Sequence, residues 1–209
     1  MTQAVSRFST AFVAARLESV IAPALQPAGD FFSGDGKPQH LRGSAGWKPA
    51  AVLIALVDRP QGAGVLLTQR ADRLNSHSGQ VSFPGGGVEK RDRTVVEAAL
   101  REAHEEITLQ PEMVRLAGVL PPYYAGTGYK IAPVVGIIPA GCPMQENPDE
   151  VQEIFEVPLA FLMDLNNYHA ESRCLDNREH HFHAIDWQSH KIWGMTAGIL
   201  RLLYERVYG

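Results

Sequence analysis

The sequence predicts a mixed α+β domain in which a sheet packs between helices. Three observations point there. Helical and strand patterns follow one another along the chain in the order helix, strands, helix, strands, helix. Two apolar runs, Ala50 to Val57 and Ile131 to Pro139, have strand length and hold no charged residue, and the first suits a strand covered on both faces. Between them Thr94 opens a helix with a capping box, because Glu97 stands three residues on and can reach back to the helix start. The 209 residues suit one such domain with extensions. Residues 1–48 are expected as an N-terminal helix and loop extension, and residues 49–209 as the main domain.

Each element rests on its own signal. Ser6 to Leu25 is expected as a helix with the apolar stripe Phe8, Phe12, Ala15 and Val20, serving packing or dimerisation. Pro27 to Pro49 is rich in Gly, Pro and polar residues and is expected as a long loop, mobile at Asp30 to Gly36. Ala50 to Val57 and Val65 to Gln69 form a hairpin through the turn Asp58 to Gly64. After the polar loop Ala71 to Gln80 comes a short strand, Val81 to Phe83. It leads into the turn Pro84-Gly85-Gly86-Gly87, where glycine lets the backbone approach a ligand closely. The helix from Thr94 runs to about Ile107 and packs through Val95, Ala98, Ala99, Ala103 and Ile107; Pro111 prevents its continuation.

Val114 to Leu120 is a strand, and Pro121 to Lys130 is an aromatic loop whose Tyr123, Tyr124 and Tyr129 either stack on a ligand or plug the core. Pro133 places Ile131 to Pro139 at an edge or a bulge, since proline donates no ladder hydrogen bond. Glu153 to Val157 is a short strand and Pro158 to Asp164 a short helix. His180 to Trp187 pairs with Lys191 to Trp193 as a hairpin. His181 and His183 share one face of it, as metal ligands or, in the favoured reading, as incidental surface residues. Gly194 to Tyr208 closes as a helix that buries Ile199, Leu202, Leu203 and Val207.

Composition narrows the function. A net charge of −4 argues against a general nucleic-acid binder, which needs a basic face, and still allows a nucleotide-sized ligand on a local basic patch. Cys142 and Cys174 are the only cysteines and form no C-x-x-C, which fits a reducing compartment. No apolar run reaches membrane-spanning length. The first 17 residues carry Arg7 and Arg16 and no acid, a faint likeness to a transit peptide. The preferred reading is the N-terminal helix of a cytoplasmic protein. A homodimer through that helix is a further expectation.

The chemistry concentrates in Gly85 to Leu109, GGGVEKRDRTVVEAALREAHEEITL. Glu102, Glu105 and Glu106 stand at i, i+3 and i+4, so a helix puts them on one face. Like charges that close repel one another unless a cation sits among them. Mg²⁺ or Mn²⁺ suits such oxygen donors and keeps its other positions for water and phosphate. Arg101 can pair with Glu105 at i+4. The alternative for an isolated E-x-x-E-E is a solvated acidic face.

Upstream, Leu66 to Gly86 reads LLTQRADRLNSHSGQVSFPGG. Flank and helix together resemble the Nudix hydrolases, whose box reads G-x5-E-x7-R-E-U-x-E-E-x-G-U. The elements L-L-T-x-R and H-x-G-x-V-x-F-P-G-G are similar to the coenzyme A pyrophosphatase branch of that family. The chain departs from the box in places. Counted from Gly86, the first Glu is Asp92, with one extra residue before Arg101; counted from Gly87, the position holds Arg93. Thr108 replaces the late Gly, and Asn75 replaces an Arg often found upstream.

The resemblance implies a Nudix-type α/β/α sandwich and hydrolysis of coenzyme A or a derivative to 3′,5′-ADP and a 4′-phosphopantetheine compound. Glu102 and Glu106 are then the main metal ligands, with Glu105 a further ligand or the group that polarises the attacking water. Glu150, in the acidic turn Asn147-Pro148-Asp149-Glu150, is the candidate base from outside the helix; its alternative is a surface acid. Arg70 is the expected substrate contact, and Gly85 and Gly86 add backbone contacts. Arg73, Lys90, Arg91 and Arg93 are further cations for a 3′-phosphate. Two rivals stand beside this reading: a Nudix hydrolase of another nucleoside diphosphate derivative, and a Nudix scaffold kept as a ligand-binding module.

Overall fold

The computed structural model describes residues 6–21, 26–28, 31, 46–72, 79–175 and 178–209. Arg73, Asn75 and most of the expected mobile loop lie outside these residues. The first helix, α1, spans Thr10–Leu17 and continues as a 3-10 turn over Glu18–Val20. It starts later than Ser6 because Ser9 is the cap, its hydroxyl accepting from the Phe12 amide at 3.2 Å. Val13 and Leu17 are its fully buried positions, whereas Ala15, expected on the stripe, faces out.

The strands are β1 (Lys48–Asp58), β2 (Gly64–Arg70), β3 (Val81–Ser82), β4 (Gly85–Gly87), β5 (Arg115–Val119), β6 (Tyr123–Tyr124), β7 (Tyr129–Pro139) and β8 (Val151–Pro158). Together they make one mixed sheet. β1 and β7 are its axis and pair in parallel, from Lys48 opposite Tyr129 to Asp58 opposite Pro139. The expected β1–β2 hairpin forms but pairs only at Leu56–Val65 and Val57–Gly64. β8 occupies one edge of β2, and the far half of the other edge goes to β3. β4 meanwhile pairs with β1 at Ala50 to Val52. The hairpin therefore splays, and residues 81–87 fill the gap. The glycines expected as a turn are a short strand in that gap.

Pro133 lies inside the sheet, not at an edge, with β1 on one side and β5 and β6 on the other. Its carbonyl accepts from the Leu120 amide at 2.9 Å, so its missing donor points the same way. There the neighbouring strand is interrupted by Pro121 and Pro122, between Val119 opposite Val134 and Tyr123 opposite Ile131. Pro133 has no amide to return to the Leu120 carbonyl, so the one ladder bond it costs falls where that strand pairing ends.

Helix α2 (Val95–Ile107) covers one face of the sheet, packing Val95, Ala98, Ala99, Ala103 and Ile107 on Ala51, Leu53, Val134 and Ile138. α1 and α4 (Met195–Val207) cover the other face over Ile54, Leu56, Val135 and Ile137. This is the α/β/α sandwich. Tyr123 and Tyr129 pack against the second core, so they act as plugs. A short helix, α3 (Leu159–Leu162), leads to a second sheet of β9 (Tyr168–Leu175), β10 (Arg178–Trp187) and β11 (His190–Trp193). β9 extends the expected two-stranded hairpin to three strands. Among the described residues no helix is long and apolar enough to cross a membrane.

Candidate active site

The site begins with the splay between β1 and β2. β4 lies there as a floor under α2, and at Gly85 its approach to the backbone of β1 leaves no room for a side chain. A Cβ on Gly85 would collide with the Ala51 carbonyl and stand 2.6 Å from Val52 Cα. On Gly86 it would stand 2.5 Å from Glu102 Oε2. With hydrogen there instead, the Gly85 amide donates to Glu106 Oε2 at 3.2 Å and Glu102 settles against Gly86.

Arg101 locks the helix to that floor. Its Nε and Nη2 form a fork on Asp92, both at 3.0 Å, and Nη2 also donates to the Gly87 carbonyl at 2.9 Å. Nη1 donates to Glu102 at 2.8 Å and, as the i+4 spacing predicts, to Glu105 at 3.2 Å. The Asp92 side chain is only 4% exposed. Burial, the largest single influence, would raise its carboxyl; the Arg101 hydrogen bonds, the Glu89 amide and the charges of Arg101 and Arg91 together outweigh it and hold the carboxyl below the usual range. The apparent departure at Asp92 is thereby resolved. The side chain is one methylene shorter than Glu, the connection one residue longer, and the acid still reaches the arginine.

The three acids of the helix do not share one environment. Glu106 is buried, its side chain 4% exposed, and burial pushes its carboxyl up to about 8. Arg70 and the Gly85 amide pull it down, whereas Glu150 and Glu102 push it further up. Glu102 is raised too, by burial first and then by Glu105 and Glu150, against the pull of Arg101. Glu105 points away from Glu106 and pairs with Arg91 at 2.9 Å and with Arg101; its side chain is 43% exposed. Glu102, Glu106 and Glu150 thus form the inner group, with Glu105 on the rim.

Glu150 reaches this group because its segment caps the end of α2. The Gln145 amide donates to the Ile107 carbonyl at 3.0 Å, and the Asn147 amide to the Glu106 carbonyl at 2.8 Å. Thr108 ends the helix in the left-handed region, φ 56° and ψ 18°, which strains a β-branched residue. Its hydroxyl compensates by donating to the Gln145 carbonyl at 3.0 Å. Thr108→Ala keeps the strain and loses this bond, whereas Thr108→Gly loses both. The glycine variant is expected to be the more stable of the two by about 1 kcal/mol in urea unfolding. Equal stabilities would remove the strain argument.

Arg70 lies inside the site rather than at its periphery. Its Nη1 is 3.6 Å from Glu106 Oε1, and its Nε is buried without a hydrogen bond among the described residues. Of the other expected cations, Arg91 is tied to Glu89 and Glu105, and Arg93 to Glu97. His181 and His183 are exposed on β10, and His181 Nε2 stands 3.9 Å from Glu179 Oε2. The inner carboxylates fit a hard divalent cation chemically: they are oxygen donors, Glu106 buried and Glu102 and Glu150 half-buried, and Glu106 and Glu102 are raised by burial and then by neighbouring acids. Among the described residues no three acid, His or Cys side chains converge as a finished chelate, because Glu102 is turned to Arg101 and Glu106 to Arg70. Asp92 is the residue whose importance the sequence pattern understated. Its spacing hid its role, and only the fork on Arg101 reveals it.

The comparisons with known proteins agree with this architecture. The NUDIX domain family model matches residues 47–187. The uncharacterized Nudix hydrolase NudL of Escherichia coli O1:K1 is 46% identical over 167 residues, covering 80% of this chain and 86% of that protein. NudL of Shigella boydii serotype 18 matches to the same extent. Among solved structures, a MutT/nudix family protein from Enterococcus faecalis superposes with a TM-score of 0.50 at 16% identity, covering 81% of this chain and 65% of that one. A sheet between helices, a glycine floor under an R-E-x-x-E-E helix, and a family match across most of the chain lead to one conclusion: this chain belongs to the Nudix hydrolase family.

Proposed function

We propose that the protein hydrolyses the pyrophosphate bond of coenzyme A or its derivatives, releasing 3′,5′-ADP and a 4′-phosphopantetheine compound, with Mg²⁺ or Mn²⁺ as cofactor. One observation carries this reading. Arg70, the last residue of LLTQR, lies 3.6 Å from Glu106, the last acid of REAHEE. Gly85, of the F-P-G-G element, donates to the same carboxylate at 3.2 Å, so both elements on which the likeness to the coenzyme A branch rests adjoin Glu106.

Nudix hydrolases typically use divalent metal ions, which neutralise phosphate charge and lower the pKa of water. Glu102 and Glu106 would hold the ion, and Glu105 would be a further ligand or would polarise the attacking water. Gly85 and Gly86 form the floor against which the diphosphate lies. Arg70, beside Glu106, offers its Nε–H and its Nη groups to a diphosphate oxygen. Glu150 accepts the proton of the attacking water. The water oxygen bonds to one phosphorus, the bridging P–O bond breaks, and the bridging oxygen leaves on the other phosphate.

Product analysis with coenzyme A and Mg²⁺ or Mn²⁺ tests the substrate, with Glu106→Gln as control. Release of 3′,5′-ADP by the wild type alone supports the reading. A second reading, hydrolysis of another nucleoside diphosphate derivative, draws on Asn75, which supplies no phosphate-binding charge where an arginine is often found. Nucleotide sugars, dinucleotides and oxidised nucleoside triphosphates offered at matched concentration decide between the two. Because Arg70 sits beside Glu106, Arg70→Ala is expected to lower kcat/KM about 10- to 100-fold on coenzyme A and dephospho-coenzyme A alike. A loss confined to coenzyme A would move Arg70 to the 3′-phosphate instead.

A further inference from the structure

We infer that Asn147 is a positioning residue whose side-chain amide holds Glu150 against the carboxylate helix. The inference rests on the reading in which Glu150 accepts the proton of the attacking water. It concerns a residue that no motif singles out.

Asn147 lies on the connection from β7 to β8, and it ties three things together. Its backbone amide donates to the Glu106 carbonyl at 2.8 Å. Its Nδ2 donates to the Glu105 carbonyl at 3.3 Å and faces Glu150 Oε1 at 3.5 Å. Its Oδ1 accepts from the Asp149 amide at 3.1 Å, and its own carbonyl accepts from the amides of Glu150 at 3.0 Å and Val151 at 2.8 Å.

A carboxamide has two N–H donors and one carbonyl acceptor. Here the acceptor shapes the turn and the two donors span the gap between helix and base. One is fixed on the helix backbone, so the other cannot rotate away from Glu150. That constraint has an electrostatic purpose. Glu150 faces Glu102 and Glu106, and like charge drives its carboxylate outward to solvent. The donor edge of Asn147 opposes that movement.

Asn147→Asp separates the two jobs of the side chain. The aspartate is isosteric and keeps the acceptor for the Asp149 amide, but it has no donor for the Glu105 carbonyl or for Glu150. Asn147→Ser is the uncharged counterpart, with a hydroxyl that still accepts from the turn. Both variants are assayed with Mn²⁺ on the substrate that the product analysis identifies. The expected result is a kcat lowered about 10- to 100-fold with KM within about twofold of wild type, and a urea midpoint little changed.

A double-mutant cycle with Glu150→Gln completes the test. If Asn147 acts through Glu150, adding Asn147→Ser to Glu150→Gln costs no further activity. Losses that multiply would show a structural role and overturn the inference, as would a wild-type kcat in both single variants. A wild-type rate in Glu150→Gln alone overturns the assignment of Glu150 and the inference with it. The two failures are therefore distinguishable.

Discussion

Glu106→Gln is expected to lower turnover by at least about 10³-fold while the fold stays intact. The variant keeps the shape of the side chain and an oxygen for the Gly85 amide, but it cannot carry the charge that a divalent cation needs. A second signature does not depend on activity. In the folded, metal-free protein the Glu106 carboxyl is pushed up to about 8, chiefly by burial, from an ordinary 4.5. In that window the unfolded chain has released its proton while the folded chain still holds it. The unfolded state binds fewer protons, so stability falls as pH rises from about 4.5 to about 8 and then levels off. The loss is on the order of 1.4 kcal/mol per pH unit across the window. Urea unfolding at pH 5 and pH 8 without metal should show this decline in the wild type and a weaker one in Glu106→Gln. Saturating Mn²⁺ should oppose it, because the cation binds the ionised carboxylate. Identical pH slopes in both proteins would mean that Glu106 is not the buried acid described here.

Arg101→Ala is expected to have the largest effect on stability. It strands Asp92, which is buried and paired with the guanidinium fork, and removes the donors that tie α2 to Gly87 and Glu102. Breaking one side of a buried pair costs about 3–5 kcal/mol. For a chain of this size that lowers Tm by about 10 °C. Lysine should rescue little, since one ammonium cannot serve the Asp92 fork, the Gly87 carbonyl and Glu102 together. A Tm within about 2 °C of wild type in Arg101→Ala would show that Asp92 finds another partner or water.

Much of this was legible in the residues. AAVLIALV reads as a strand covered on both faces because every position is apolar, and Lys48–Asp58 does lie between two helical layers. Thr94 and Glu97 mark the start of the carboxylate helix, where the Thr94 hydroxyl accepts from the Glu97 amide. What the residues could not convey was long-range geometry. Gly85 to Gly87 looks like a turn locally; it becomes a strand because β1 and β2 splay and leave an edge to fill. Pro133 reads as an edge residue, yet it lies inside the sheet, where its missing donor falls at the end of the β5–β7 pairing. The i, i+3, i+4 spacing of the acids shows that they share a helix face. It does not show that Glu106 turns inward to Arg70 and Glu105 outward to Arg91. β9 is not legible in YHAESRCL, which has no clear alternation; its pairing comes from β10.

The parallel pairing of β1 with β7 has a consequence for how the protein is made. Residues 48–58 find their partners only at residues 129–139, and the whole carboxylate helix lies in the chain between them. Closing a loop of that length costs entropy before any contact repays it. A chain emerging from the ribosome can form the helix early, from local hydrogen bonds alone. Glu150 comes later still, after β7 is complete. The last of the acids that repel one another therefore joins the helix only after both strands of the β1–β7 axis have been made.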